Sequence, residues 1–101
     1  MRILVMLHPT NRHGTKMKYT RLRKFLASDG YTLLNQELYM LVTTSRKTAE
    51  THLNRLKEYD PGSGVVRVLR LTEKQYSKMW YLTGDMDYQK KVVGNNEHIM
   101  L

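Results

Sequence analysis

The sequence has no cysteine among its 101 residues, and this absence excludes a disulfide framework and a zinc site built from thiolates. It also has no apolar run long enough to span a bilayer. The first apolar run, from Met1 to Leu7, is too short for a secretory signal and lacks its cleavage pattern. We therefore expect a soluble, cytoplasmic protein with no membrane partner, built as one domain around one modest core.

Acidic residues are also few. Nine Asp and Glu stand against 17 Lys and Arg, which gives a formal net charge of +8, and the stretch from Arg12 to Lys24 holds six basic residues and no acid. Clustered positive charge favours a surface that binds phosphates by releasing counterions, although a merely solubilising surface is the alternative. The predicted nucleic-acid contacts are Arg12, Lys16, Lys18 and Arg21, with Arg67 and Arg70 as secondary candidates because they alternate faces on a strand.

The first half of the chain predicts a strand, a helix and a strand pair. Residues 2–7 are apolar at nearly every position, as in a central strand. Apolar residues at three- and four-residue spacing predict a helix from Lys16 to Ser28, and Gly30 follows where a helix-ending glycine belongs. The segment 31–43 is rich in strand formers around a polar centre that includes Glu37, which predicts two strands or one bent strand.

The second half predicts a helix, a strand and a short capped helix. Ser45 can cap a helix that runs to about Glu58, and residues 65–71 predict another strand. Thr72 and Gln75 form a capping box for a helix through Met79. A last short strand is predicted over 80–83, with Met79 and Trp80 closing the core beneath the short helix.

The order β-α-β-β-α-β is the ferredoxin-like arrangement, so the predicted fold class is α+β, with a short extra helix and a C-terminal strand. Residues 1–84 are assigned to this domain and residues 85–101 to a tail. Because both helices of this fold cover one face of the sheet, we expect the other face to pair with a second copy in a homodimer. The apolar end of the tail predicts a docking or swapped strand carried by Ile99, Met100 and Leu101.

Three stretches together resemble one family. "RILVM" leads into a Pro-Thr turn, "YTRLRKFLASDGYTLL" sets basic residues and Phe-Leu before a Gly-aromatic pair, and "LTEKQYSKMWYLTG" is the most specific piece. This set is similar to the small CRISPR-associated adaptation protein, the second numbered member of that system, in the form found beside the RNA-guided effector with two nuclease domains. The resemblance covers nearly the whole chain.

The resemblance implies a homodimer that bridges two dimers of the CRISPR integrase. That assembly holds a short duplex of foreign DNA and inserts it into the repeat array, so the predicted function is a duplex-binding scaffold in CRISPR adaptation. The resemblance also implies that many members are metal-dependent nucleases of RNA or DNA. In those members one aspartate per subunit, at the end of the first strand, binds a shared divalent ion.

The family pattern is broken where that aspartate stands. Relatives typically read Phe-Asp-Leu-Pro-Thr, whereas this chain reads Leu7-His8-Pro9-Thr10, so His8 occupies or adjoins the aspartate position. Mg²⁺ prefers oxygen ligands, and imidazoles suit Zn²⁺ or another transition metal. Two symmetry-related His8 side chains with Glu37 could in principle hold such a metal. We expect instead that His8 is an exposed loop residue, that the catalytic site is lost, and that no metal or cofactor is needed.

Two other functions stay open at this level. A metal-dependent endonuclease, with Mg²⁺ as its cofactor, would need paired carboxylates near the dimer axis. Asp29 is better explained by its position at a helix end, and Glu37 by pairing with a lysine on a neighbouring strand. Arg23 and Lys24 could instead pair with acids near Glu58 and Asp60. The fold alone also permits a regulatory or toxin-like dimer that binds RNA.

Overall fold

The chain folds as an antiparallel four-stranded sheet with two helices on one face, described for residues 1–10 and 14–84 in a computed structural model. The elements are β1 (Arg2–His8), α1 (Thr15–Ser28), β2 (Thr32–Asn35), β3 (Leu38–Val42), α2 (Arg46–Leu56), a 3-10 turn (Lys57–Tyr59), β4 (Val65–Leu71) and α3 (Glu73–Tyr76). The sheet order is β2-β3-β1-β4. This order confirms the predicted α+β class and is compatible with a ferredoxin-like fold.

Local sequence signals explain where the helices begin and end. The Ser45 hydroxyl accepts a hydrogen bond from the Thr48 backbone N–H at 3.1 Å, which satisfies an orphan donor of α2. The predicted capping box of α3 is present, with Thr72 and Gln75 bonded in both directions. Gly30 has φ +102°, so the chain can turn out of α1 and continue into β2.

The main core lies between the sheet and the two long helices. Every second residue of β1 points into it, and all of these residues are buried: Ile3, Val5 and Leu7. The helices and β3 contribute Tyr19, Leu22, Leu26, Tyr39, Leu41, Ala49 and Leu56. Each fully buried large apolar side chain stabilises the fold by about 1.5 to 3 kcal/mol, so this cluster fixes which side of the sheet the helices cover.

A polar contact ties the end of α1 to α2. The Asp29 carboxylate receives a hydrogen bond from His52 Nδ1 at 2.7 Å and pairs with Arg55 Nη2 at 2.9 Å. The Asp29 and His52 side chains are largely buried here. His52 therefore bridges the two helices, a role that the sequence alone did not indicate, because the two residues are 23 positions apart.

The opposite face of the sheet, called the open face below, carries a smaller cluster. It consists of Leu4, Leu34, Met40 and Tyr76, with Leu38 and Leu71 packed against it. Arg2 holds α3 over one end of this face: its guanidinium pairs with Glu73 at 3.0 Å and lies 3.9 Å from the Tyr76 ring centroid. The rest of the open face keeps exposed apolar residues, among them Leu69 at 46% and Val42 at 55% exposure.

Three expectations from the sequence were wrong. Residues 80–83 form no strand, and Met79 and Trp80 are 40% and 57% exposed rather than part of the core, because α3 ends at Tyr76 and the chain leaves the sheet. Glu37 lies in the turn between β2 and β3 with φ +57°, not within a strand. His8 is not a loop residue: it is the last residue of β1 and pairs with Val65 of β4, although its side chain is exposed as expected.

The predicted tail, 85–101, and with it Ile99, Met100 and Leu101, lies outside the described residues, as does Arg12. No helix in the described part of the chain is long and apolar enough to cross a membrane.

Candidate nucleic-acid interface

A groove along the outer side of α1, called the basic groove below, gathers several of the predicted cations. It has a volume of about 690 Å³ and is lined by Lys16, Met17, Thr20, Arg21, Lys24, Phe25, Ser28 and Tyr59. The i, i+4 spacing of Lys16, Thr20 and Lys24 places them along one side of the helix. Arg21 lies beside this row, three residues before Lys24. In the described part of the chain none of its three cations forms an ion pair with a carboxylate.

Two stacked aromatic rings line this groove. Phe25 and Tyr59 stack with their centroids 4.1 Å apart and their planes 12° from parallel. The Arg21 guanidinium lies 4.4 Å from the Tyr59 centroid, an attraction between a cation and a ring face that holds the side chain beside the groove. The groove therefore presents fixed positive charge toward solvent, which suits a phosphate backbone.

The helix geometry separates the predicted contacts on α1. Successive residues turn by about 100° around an α-helix, so Lys16 and Lys18 project on nearly opposite flanks. Lys16 and Arg21 line the basic groove, whereas Lys18 is exposed elsewhere on the helix. Lys24, Phe25 and Tyr59 join the groove although sequence reasoning gave them no such role. Lys24 and Phe25 follow Arg21 by three and four residues, and this helical spacing could have indicated both of them. Tyr59 could not be found in this way, because it comes from another element.

Arg23 belongs to the other flank of α1 and is neutralised. Its Nε donates to Glu37 Oε1 at 3.1 Å and its Nη2 lies 2.5 Å from Oε2. The hydrogen bond with Glu37 raises the pKa of Arg23 above its already high value. The suggested pairing of Arg23 with acids near Glu58 and Asp60 is therefore wrong, and so is pairing of Glu37 with a lysine, because the turn directs this carboxylate back toward α1.

The two arginines of β4 lie on opposite faces of the sheet, as their spacing predicted. Arg70 faces the helices and pairs with Glu50 of α2. Arg67 lies opposite Met6 of β1 on the open face, is exposed, and forms no ion pair with any residue that the structure describes. Only Arg67 of this pair therefore keeps an uncompensated charge for a ligand.

The His8 end of the sheet is held in place by a tight approach of the loop 60–64. The Tyr19 hydroxyl donates to the Ser63 carbonyl oxygen at 2.7 Å, and the Thr15 and Ser63 hydroxyls are 3.0 Å apart. Burial, with smaller effects from Asp60 and Glu37, raises the pKa of Tyr19, so this hydroxyl stays a donor. A Cβ on Gly64 would lie 2.6 Å from the His8 carbonyl oxygen, so only glycine permits this packing.

The donors at the His8 end do not fit Mg²⁺. His8 is the last residue of β1, and its side chain is exposed. The nearest acidic positions are engaged elsewhere: Glu37 binds Arg23, and Asp60 accepts from the Gly62 N–H at 2.8 Å within its own turn. No group of three or more His, Cys, Asp or Glu side chains with metal-binding geometry occurs within the described residues. A hard ion would meet imidazole and guanidinium here rather than carboxylate oxygens.

Proteins with known names resemble this chain over most of its length. A protein of Acidovorax ebreus is 36% identical over 94 residues, which are 92% of this chain and 92% of that protein. One from Ligilactobacillus salivarius is 33% identical over 85 residues (83% of this chain and 84% of the relative), and one from Streptococcus mutans is 33% identical over 88 residues (86% and 81%). All three are named CRISPR-associated endoribonuclease Cas2.

No protein-family profile matches the chain. Similarity at these levels extends across more than four fifths of each sequence compared, and the sheet order agrees with the fold that the sequence pattern predicted. The chain therefore belongs to the Cas2 family of CRISPR-associated proteins.

Proposed function

We propose that this protein is a non-cutting, homodimeric scaffold of CRISPR adaptation, which holds duplex DNA and bridges dimers of the CRISPR integrase in the cytoplasm. The observation that carries the proposal is the basic groove. Lys16, Arg21 and Lys24 converge there without a carboxylate partner among the described residues. Gripping a phosphate backbone needs this arrangement of charge and no aligned nucleophile, base or metal.

The open face supports the homodimer. Val42, Leu69 and Val65 are 42% to 55% exposed on it, beside the half-buried Leu38 and Leu71. An apolar strand face of this kind is unusual on a monomer in water, and a second copy packed sheet against sheet would bury it. Ile99, Met100 and Leu101 remain the predicted strand that docks the integrase.

A metal-dependent endoribonuclease is the second candidate, because the relatives carry that name. Such an enzyme would use Mg²⁺ held by carboxylates at the end of β1. His8 stands there, and the nearby Glu37 is bound to Arg23. These donors favour the scaffold over the nuclease.

The test is a salt series of duplex DNA binding, followed by fluorescence anisotropy, for the protein alone and in its complex with the integrase. Each phosphate contact contributes about 0.9 to the slope of log K against log salt concentration. Arg21→Ala with Lys24→Ala is expected to lower the slope by about 1.8 in both settings. The matched control, Arg46→Ala with Lys47→Ala, removes the same charges from exposed positions at the start of α2 and is expected to leave the slope unchanged.

Equal slopes for the groove variant and the wild-type protein would refute the groove as the DNA-binding surface. A second assay addresses the alternative function. If purified protein cleaves RNA or DNA in the presence of Mg²⁺, and His8→Ala abolishes that cleavage, then the scaffold proposal is wrong.

A further inference from the structure

The outer side of α1 carries one exposed methionine inside the basic groove. Met17 is 80% exposed, and it is the only large apolar side chain of α1 that is exposed in this way. It lies on the side of the helix opposite Leu22 and Leu26, which are buried against the sheet. The proposed homodimer covers the open face, which is the other side of that sheet, so the surface around Met17 stays accessible when two copies associate.

Cations lie on both sides of Met17. Successive helical residues turn by about 100°, so Arg21 is displaced from Met17 by about 40° in one direction around the helix and Lys16 by about 100° in the other. Lys24 lies two turns farther on, nearly in line with Met17, and all of these side chains line the basic groove. A single exposed methionine is ordinary on a protein surface. This one lies between positive charges that have no carboxylate partner among the residues that the structure describes.

The aromatic rings of the groove are already engaged by protein groups. The Phe25 centroid lies 4.1 Å from the Tyr59 centroid and the Arg21 guanidinium lies 4.4 Å from it, and two groups this close to one centroid occupy the two faces of the ring. Proteins that bind single strands stack the bases on open ring faces. The groove therefore suits a duplex, whose bases stay paired, and Met17 is the exposed apolar group that can reach those bases.

The arrangement around Met17 matches the minor groove of a duplex. Phosphates of the two strands border this groove, and proteins that bind it often insert an apolar side chain, methionine included, between neighbouring base pairs. Methionine suits this role because its unbranched thioether chain adapts to irregular spaces. The major groove is instead read by hydrogen bonds to base edges, for which Asn, Gln and Glu supply selective contacts. The helix α1 has none of these three residue types.

We propose that Met17 is a wedge that enters the minor groove of the bound duplex and opens one base-pair step, while Lys16 and Arg21 bind the phosphates that border that groove. The inference rests on the proposed DNA-binding function and deepens it by naming the groove of the DNA that is bound. Opening a step bends the duplex toward its major groove. Pyrimidine–purine steps open most easily, so duplexes that contain TA or CA steps are expected to bind more tightly than duplexes that lack them.

The first measurement is the bend of the bound DNA. A duplex with a donor dye at one end and an acceptor dye at the other reports its end-to-end distance by energy transfer, and the wild-type protein is expected to shorten that distance. Met17→Ala is expected to leave the bound duplex close to its free length and to weaken binding about fivefold, because one buried apolar side chain is lost. The salt slope is expected to keep its wild-type value, because no charge is removed.

Two further variants serve as controls. Met17→Leu keeps an apolar side chain of similar size, so it is expected to retain most of the bend and of the affinity. Leu33→Ala removes an apolar side chain that is 49% exposed on β2, outside the groove, and is expected to change neither quantity. Thermal melting and size-exclusion chromatography with light scattering accompany every variant. Because Met17 is so exposed, its replacement is expected to leave the fold and the assembly intact.

Inosine distinguishes the two grooves of the duplex. Replacing guanosine by inosine removes the amino group that guanine presents in the minor groove and leaves the acceptors of the major groove in place. The wild-type protein is expected to bind the inosine duplex more tightly, because the wedge meets no amino group there. Met17→Ala is expected to bind the two duplexes equally well.

A duplex that the wild-type protein leaves unbent would overturn the wedge, as would a bend that survives in Met17→Ala or equal effects of Met17→Ala and Leu33→Ala. Wild-type binding that does not respond to inosine would also overturn it, since the contacts would then lie in the major groove or on phosphates alone. None of these results bears on the proposed function. Its own tests are the salt slope of the variant that lacks Arg21 and Lys24, and the cleavage assay.

Discussion

Gly64 is the position where the packing of the His8 end can be tested most directly. It has φ +71°, and a Cβ there would lie 2.5 Å from the Tyr19 hydroxyl oxygen and 2.6 Å from the His8 carbonyl oxygen. Gly64→Ala therefore incurs three costs. The left-handed backbone costs about 1 to 2 kcal/mol, loss of the Tyr19 hydrogen bond to Ser63 about 1 kcal/mol, and displacement of the backbone about 1 to 3 kcal/mol.

The matched control lies two residues away. Gly62 has φ +77°, and no atom lies within 4 Å of the Cβ position, so Gly62→Ala carries only the backbone cost of about 1 to 2 kcal/mol. Gly64→Ala is thus expected to be less stable than Gly62→Ala by about 2 to 4 kcal/mol. For a domain of this size, that difference lowers the melting temperature by roughly 10 to 30 °C more.

Urea and thermal unfolding, followed by far-UV circular dichroism, measure both variants. Tyr19→Phe separates one contribution, because it removes the hydrogen bond to Ser63 and leaves the crowding at the His8 carbonyl in place. Equal destabilisation by Gly62→Ala and Gly64→Ala would refute the reasoning. It would mean that the loop 60–64 does not press against the end of β1, and that His8 is held there by something else.

Two predictions concern the pH dependence of stability. The Arg2 hydrogen bond lowers the pKa of Glu73 below its ordinary 4.5, so its contribution is present above that value and is lost as pH falls through the lower folded value. Because the Glu73 side chain is 55% exposed, Glu73→Gln is expected to lower the free energy of unfolding by less than about 1 kcal/mol at neutral pH, and not at all in strong acid. Urea unfolding at a series of acidic pH values would measure this difference. A difference that stays constant at all pH values would contradict the prediction. Burial raises the pKa of Tyr31 to about 12 from 10.0, so the stability due to its neutral phenol is present below pH 10.0 and is lost as pH rises through about 12. Its hydroxyl is buried without a partner in the described structure, so Tyr31→Phe is expected to be more stable by about 1 kcal/mol at neutral pH and less sensitive to alkali. Denaturant titration would measure both effects. A variant less stable than the wild-type protein would reveal a hydrogen bond at that hydroxyl.

Periodicity and caps predicted the elements well, because these signals act over only a few residues. The apolar run of residues 2–7 became β1, the stripe from Lys16 to Ser28 became α1, and the box of Thr72 and Gln75 opens α3. The strand predicted over 80–83 does not form. Apolar residues in so short a segment form a strand only where the edge of a sheet is available to pair with them, and the four residues themselves do not determine where that edge lies.

The sequence predicted where the candidate site gathers positive charge, but not which of its cations are left unpaired in the fold. The acid-free stretch from Arg12 to Lys24 showed where positive charge gathers. Which cations remain available depended on partners far along the chain: Arg23 is bound by Glu37, and Arg70 by Glu50, 20 residues before it. Such pairings are decided by the packing of whole elements, so no local pattern reports them.

The sequence by itself determined the sign of the surface charge, the order of helices and strands, and the absence of any acidic residue before Asp29. These are properties of residue identity and short-range spacing, which the chain carries before it folds. Only the tertiary structure decided that Tyr59 lies beneath Arg21 and that Glu37, near His8, is bound to Arg23. Those relations join distant residues, and they exist only once burial of the apolar core has fixed the helices against the sheet.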